Sequence, residues 1–151
     1  MALKLQTQAP DFTLPSTSGT DFTLSTHLGT ACIIYFYPKD FTPGCTREAC
    51  EFRDQFAAFR NLDIPVYGIS RDSISTHIKF KEKHDLPFDL LADVKGQVAR
   101  QYQALMPIIG ITKRITYLLG KDHKIVAVCD SLFDFNLHIS EMKEKIMTEL
   151  S

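Results

Sequence analysis

Two cysteines five positions apart, Cys45 and Cys50, carry the most reactive chemistry in this sequence. A thiolate is a strong nucleophile, and a neighbouring thiol can trap an oxidised sulfur as a disulfide. Thr42-Pro43 reads as a helix start, with a hydroxyl residue at the cap and proline in the first helical position. Cys45 then falls in the first turn. The unpaired backbone N–H groups and the positive end of the helix dipole there favour the thiolate, which predicts a pKa below the free value of roughly 8.5. Cys50 follows on the same helix. At a rise of ~1.5 Å and a turn of ~100° per residue, the two Cα atoms stand ~8.5 Å apart and the side chains ~140° apart. A disulfide requires Cα atoms within about 7 Å and converging Cβ directions. The pair therefore bonds only if the first helical turns unwind.

Spacing alone leaves several chemistries open. Two cysteines on one helix are often plain packing residues. Zinc would need two further ligands, and no Cys-x2-Cys or paired-histidine motif supplies them. The five histidines show no ligand spacing. The interval also differs from the Cys-x-x-Cys of dithiol oxidoreductases.

The elements that must position these sulfurs are legible from periodicity. Asp11–Leu14 and Asp21–Leu24 alternate polar and apolar residues around a Ser/Thr/Gly-rich loop, the pattern of a β-hairpin. Ala31–Tyr37 is an unbroken apolar and aromatic run ended by Pro38, as expected of a strand covered on both faces. After the Lys39–Gly44 loop, Ala49, Phe52, Phe56 and Phe59 recur at helical spacing. Further along, Ile64–Ser70 reads as a strand. Ser73–His84 reads as a helix with Ile74, Ile78 and His77 inward, Phe88–Ala92 as a strand and Lys95–Leu105 as a helix. Ile115–Leu119 and Lys124–Cys129 form strands joined by the turn Gly120–His123, and Asn136–Leu150 a closing amphipathic helix whose apolar side includes Leu137, Ile139, Met142, Ile146, Met147 and Leu150. Alternating strands and helices followed by a hairpin predict an α/β fold with a mixed β-sheet and helices on both faces. No linker divides residues 1–151, so one domain is expected.

Composition narrows the function classes. The chain has 151 residues, 44% hydrophobic and 23% charged, with a formal net charge of −1. That suits a soluble globular protein with a sizeable core. No basic block or basic helical face would recruit nucleic acid or an anionic membrane. No apolar run approaches the roughly 20 residues of a membrane span, and Met1–Pro10 lacks the apolar core of a signal peptide. A cytoplasmic protein is the default. Four cysteines are too few for a secreted disulfide scaffold. Cys32 and Cys129, on or at the ends of strands, read as buried packing thiols.

The string Pro38-Lys-Asp-Phe-Thr42-Pro-Gly-Cys45 resembles the peroxiredoxin signature Pro-x-x-x-Thr/Ser-x-x-Cys. Its extension Thr46-Arg-Glu48-Ala-Cys50 is similar to the bacterioferritin comigratory protein, or peroxiredoxin Q, subgroup. The likeness begins at Ala9-Pro-Asp-Phe-Thr-Leu14 and returns at Arg114-Ile-Thr-Tyr-Leu-Leu119, so it covers nearly the whole chain. It implies a thioredoxin-like fold with the N-terminal β-hairpin added. It further implies reduction of hydrogen peroxide and organic hydroperoxides without metal, haem or flavin, and recycling by thioredoxin or a glutaredoxin-type dithiol. The assembly implied is a monomer, in some members a dimer. By the same resemblance Cys45 is the attacking sulfur and Cys50 the resolving thiol. Thr42 hydrogen-bonds the sulfur and the peroxide, Pro38 walls the pocket, and Arg114 stabilises the thiolate and orients the peroxide. Glu48 matches a residue usual in the subgroup and equally suits the helix dipole as an early-turn acid. A peroxide-sensing switch or interaction domain would use the same disulfide without turnover. Pro38, Thr42 and Arg114 favour turnover. Gly120, His123 and the Tyr102-Gln-Ala segment depart from the family pattern and bear on loop geometry.

Overall fold

The computed structural model describes residues 2–61, 64–130 and 135–149; side chains 56–61, 135–137 and 149 lie outside the description. Two short strands, β1 (Thr13–Leu14) and β2 (Phe22–Thr23), pair antiparallel, and a 3-10 turn over Leu24–His27 follows. Then come β3 (Cys32–Phe36), α1 (Pro43–Asn61), β4 (Val66–Ser70), α2 (Ile74–Lys83), β5 (Asp89–Ala92), α3 (Gln97–Gln101), β6 (Ile115–Leu119), β7 (Ile125–Cys129) and α4 (Phe135–Glu149). The main sheet runs β5-β4-β3-β6-β7. Its β3–β4 and β4–β5 pairs are parallel, whereas β3–β6 and β6–β7 are antiparallel. The expected α/β fold with a mixed sheet and N-terminal hairpin is the one found, and it is thioredoxin-like.

Strand β3 lies at the centre because all five of its residues are apolar and buried. Alternate side chains enter two cores, as the period of a strand requires. Ile33 and Tyr35 join Ala49 and Phe52 of α1, Phe80 of α2 and Ile139, Met142 and Ile146 of α4. Cys32, Ile34 and Phe36 meet the hairpin residues Phe12, Leu14 and Phe22 and, from α3, Val98 and Ala99. Gly68 of β4 is required by this packing. A Cβ there would stand 2.8 Å from the Tyr35 ring, closer than carbon atoms approach.

Several elements differ from expectation. The helix expected over Lys95–Leu105 spans only Gln97–Gln101. The backbone reverses beyond it, with Gln103 at φ 58° and Lys113 N–H donating to the Ala104 carbonyl. The hairpin strands are two residues each, since Leu24 already belongs to the 3-10 turn. Ile78, expected inward, is 40% exposed; His77 is buried as expected, and Phe80 takes the inner position beside it. Met147 is likewise exposed. Phe56, Phe59, Leu137 and Leu150 fall outside the described side chains. Among the described residues, no helix is long and apolar enough to cross a membrane.

Candidate active site

The site lies where β3 ends and α1 begins. The Thr42 carbonyl accepts the Thr46 N–H at 2.9 Å, which closes the first turn and leaves the earlier N–H groups of α1 at its entrance. Cys45 sits in that turn and is buried. Its register with the sheet explains its cation. Phe36, at the end of β3, pairs with Ile115, the first residue of β6, so Arg114 emerges beside the helix entrance. Arg114 Nη2 donates to Cys45 Sγ at 3.3 Å, and Nη1 donates to Glu48 Oε1 at 2.5 Å. All three side chains are buried, and residues 69 apart in the chain meet there.

This is a charge-assisted cluster in a dry setting. A buried guanidinium needs anionic partners, and it has two candidates here: the Glu48 carboxylate and a Cys45 thiolate. Burial works against the charge on Arg114, but Glu48 first and Cys45 second more than offset it, so its pKa moves up. Glu48 feels the opposite balance. Burial pushes its carboxyl up to about 7 despite the Arg114 charge and hydrogen bond. Among the described residues its Oε2 has no hydrogen-bond partner, and it lies 3.9 Å from His138 Nδ1 of α4. That ring nitrogen also meets Thr116 Oγ1 of β6 at 2.8 Å. The cluster therefore joins α1, β6 and α4.

Pro38 is half-buried at the end of β3. Thr42 is half-buried, and its hydroxyl donates to the Lys39 carbonyl at 2.7 Å, a bond that holds the loop closed on itself. In this form the hydroxyl serves the loop, and the polar contact made by Cys45 is with Arg114. Cys50 is half-buried, with Sγ 3.9 Å from His84 Nδ1 at the C-terminal end of α2. All four cysteines are free thiols. Cys32 and Cys129 are buried, and burial pushes the Cys32 thiol up to about 12.

A second buried cluster supports the loop between Pro38 and Thr42. Asp40 is buried; its Oδ1 accepts from the Tyr37 hydroxyl at 2.5 Å, and its Oδ2 lies 2.6 Å from His77 Nδ1. The Asp40 N–H donates to Asp72 Oδ2 at 2.8 Å, and the Ser70 hydroxyl donates to the same oxygen at 2.5 Å. His77 Nε2 donates to the Leu91 carbonyl at 3.0 Å. Asp40, Asp72 and His77 thus come together although their spacing in sequence suggested no histidine cluster. Each ligand atom is engaged by a protein partner, so the cluster reads as a loop anchor. Sequence reasoning missed it, and missed His84 and His138 too. Asp40 stands inside the signature string, which was the one available signal.

The AhpC/TSA family model matches residues 5–128. Over 134 residues the chain is 40% identical to the putative peroxiredoxin bcp of Coxiella burnetii, covering 85% of this chain and 89% of that protein. It is also 40% identical to the peroxiredoxin Bcp of Bacillus subtilis, covering 83% and 84%. Among solved structures, peroxidoxin BcpB from Mycobacterium tuberculosis superposes with a TM-score of 0.91 at 33% identity over 99% of both chains. A peroxiredoxin Q from Xanthomonas campestris gives 0.85 at 28% identity over 93% of this chain and 92% of that one. With a buried thiol, a guanidinium upon it and a thioredoxin-like sheet behind them, the chain belongs to the AhpC/TSA family, among its Bcp and peroxiredoxin Q members.

Proposed function

We propose that the chain reduces hydrogen peroxide and organic hydroperoxides at Cys45 and that Cys50 resolves the product. The observation that carries this reading is the Arg114 Nη2 bond to Cys45 Sγ at the start of α1. Breaking an O–O bond needs a nucleophile, alignment, and positive charge where the leaving oxygen becomes negative. Cys45 supplies the first. Arg114 and the N–H groups at the entrance of α1 supply the other two. Thr42 and Pro38, in the loop that leads into α1, would border the approach to the sulfur, and the Thr42 hydroxyl would leave the Lys39 carbonyl to meet the peroxide. Glu48 fixes the guanidinium plane by its bond to Nη1.

The Cys45 thiolate attacks one peroxide oxygen, becomes a sulfenic acid and releases water or an alcohol. Cys50 then condenses with it to a disulfide, after the first turns of α1 unwind. Thioredoxin or a glutaredoxin-type dithiol reopens that bond by exchange. The family resemblance favours a monomer, in some members a dimer, and recycling by a dithiol suits the cytoplasm. A sensor without turnover would have no use for a guanidinium held in a plane against the reactive sulfur. Mass spectrometry before and after one equivalent of peroxide tests the reading. The expected product has lost two hydrogens, with peptides 45 and 50 linked, and Cys50→Ser should instead give a sulfenic acid that thioredoxin cannot recycle. Full multiple turnover by Cys50→Ser would reassign the resolving thiol.

A further inference from the structure

We infer that His84 is the base that takes the proton from Cys50 during disulfide formation, an inference that rests on Cys50 being the resolving thiol. The condensation needs one sulfur ionised: Cys50 as thiolate attacks the Cys45 sulfur, the S–S bond forms, the S–O bond breaks, and hydroxide leaves to become water. No outside oxidant enters, because the sulfenic sulfur is reduced as the Cys50 sulfur is oxidised. A free thiol is only a few per cent ionised at pH 7. An imidazole, which exchanges protons near neutrality, removes that limitation when it stands within reach of the thiol.

His84 stands there. Its Nδ1 is 3.9 Å from Cys50 Sγ. Its ring is held edge-on to Phe80 at 5.0 Å and lies 6.5 Å from Phe41. Its backbone is fixed as well, because the His84 carbonyl accepts from Arg53 Nη1 at 2.8 Å. Cys50 and Arg53 are three residues apart on α1 and so share a face. That face is tied twice to the end of α2.

These ties also decide which sulfur travels. Phe52 is fully buried and stacks on Tyr35 at 4.6 Å, so α1 is anchored from about Cys50 onward. The entrance is held less firmly. Phe41, just before α1, sits at φ 64°, a conformation costly for an aromatic residue, and is 46% exposed. Melting the entrance would carry Cys45 toward a Cys50 that stays on its base. Among the described residues the charged groups around His84 are Arg53 of α1, with Asp54 bonded to it at 3.0 Å, and Asp85, next in the chain, whose charge acts on Arg53.

Rapid-quench mass spectrometry after one equivalent of peroxide separates sulfenic acid formation from disulfide formation. In His84→Gln, and in His84→Asn as a second variant, the first step should keep its rate, which also reports an intact fold. The second step should slow about 10- to 30-fold at pH 7. It should recover by pH 9, where thiols ionise unaided. An unchanged second step at pH 7, or equal slowing at both pH values, overturns the role of His84 while the Cys45–Cys50 link stands. A wild-type protein that makes no such link overturns the resolving assignment and this inference with it.

Discussion

Cys32 and Cys45 are each 2% exposed, yet the fold treats the two sulfurs in opposite ways. Cys32 opens β3 and packs among Ile34, Phe36 and the hairpin, where burial alone acts on it and lifts its thiol to about 12. Cys45 lies across the sheet, in the first turn of a helix and in contact with Arg114. Burial by itself silences a thiol. Burial with a fixed cation and helix N–H groups excludes water while retaining a place for negative charge. The cation therefore distinguishes the sulfur proposed to attack from the one that is only packed.

Cys45→Ser is the most severe way to break that contrast and should abolish peroxide reduction, since a hydroxyl is a far poorer nucleophile; turnover measured with a thioredoxin system would expose any other attacking thiol. Arg114→Met comes next. It should slow the reaction with peroxide by about 100-fold or more, with the far-ultraviolet circular dichroism of the parent retained. A rate within a few-fold of the parent's would remove Arg114 from the site.

A smaller effect follows from Glu48, whose carboxyl burial raises from 4.5 to about 7. Between those values the folded protein keeps a proton that the unfolded chain has lost. The resulting stability is full below pH 4.5 and is lost as pH rises through 7. Denaturant unfolding at pH 5 and pH 8 should show the parent losing about 2 to 3 kcal/mol more over that interval than Glu48→Gln. Equal losses would mean that Glu48 stays ionised throughout. Smallest of all is Cys32→Ala. It should leave peroxide kinetics unchanged and cost about 1 kcal/mol of stability; a drop in the rate of disulfide formation would make Cys32 a participant.

Much of this arrangement was legible in advance. The apolar run at β3, the Thr42-Pro43 helix start and the Gly120–His123 turn follow from local rules, and each element forms where the pattern placed it. Arg114 was named through resemblance alone, because its approach to Cys45 depends on the β3–β6 register. The Asp40–His77 anchor, His138 behind Glu48 and the His84–Cys50 contact were invisible for the same reason. Each joins residues from different elements, and a histidine facing inward looks like any other until its neighbours are known. Ile78 shows the limit of periodicity. His77 faces inward as expected, but Phe80 rather than Ile78 shares its face of α2, and Ile78 turns outward.

Arg114 follows Cys45 by 69 residues and reaches it only when β6 has paired with β3. A chain emerging from the ribosome therefore presents its signature helix well before the guanidinium has been synthesised. Non-local pairing of this kind is slow to form and comes late in folding. The nascent sulfur consequently gains its contact with Arg114 only late, and on the proposed reading competence to meet an oxidant arrives together with closure of the central sheet.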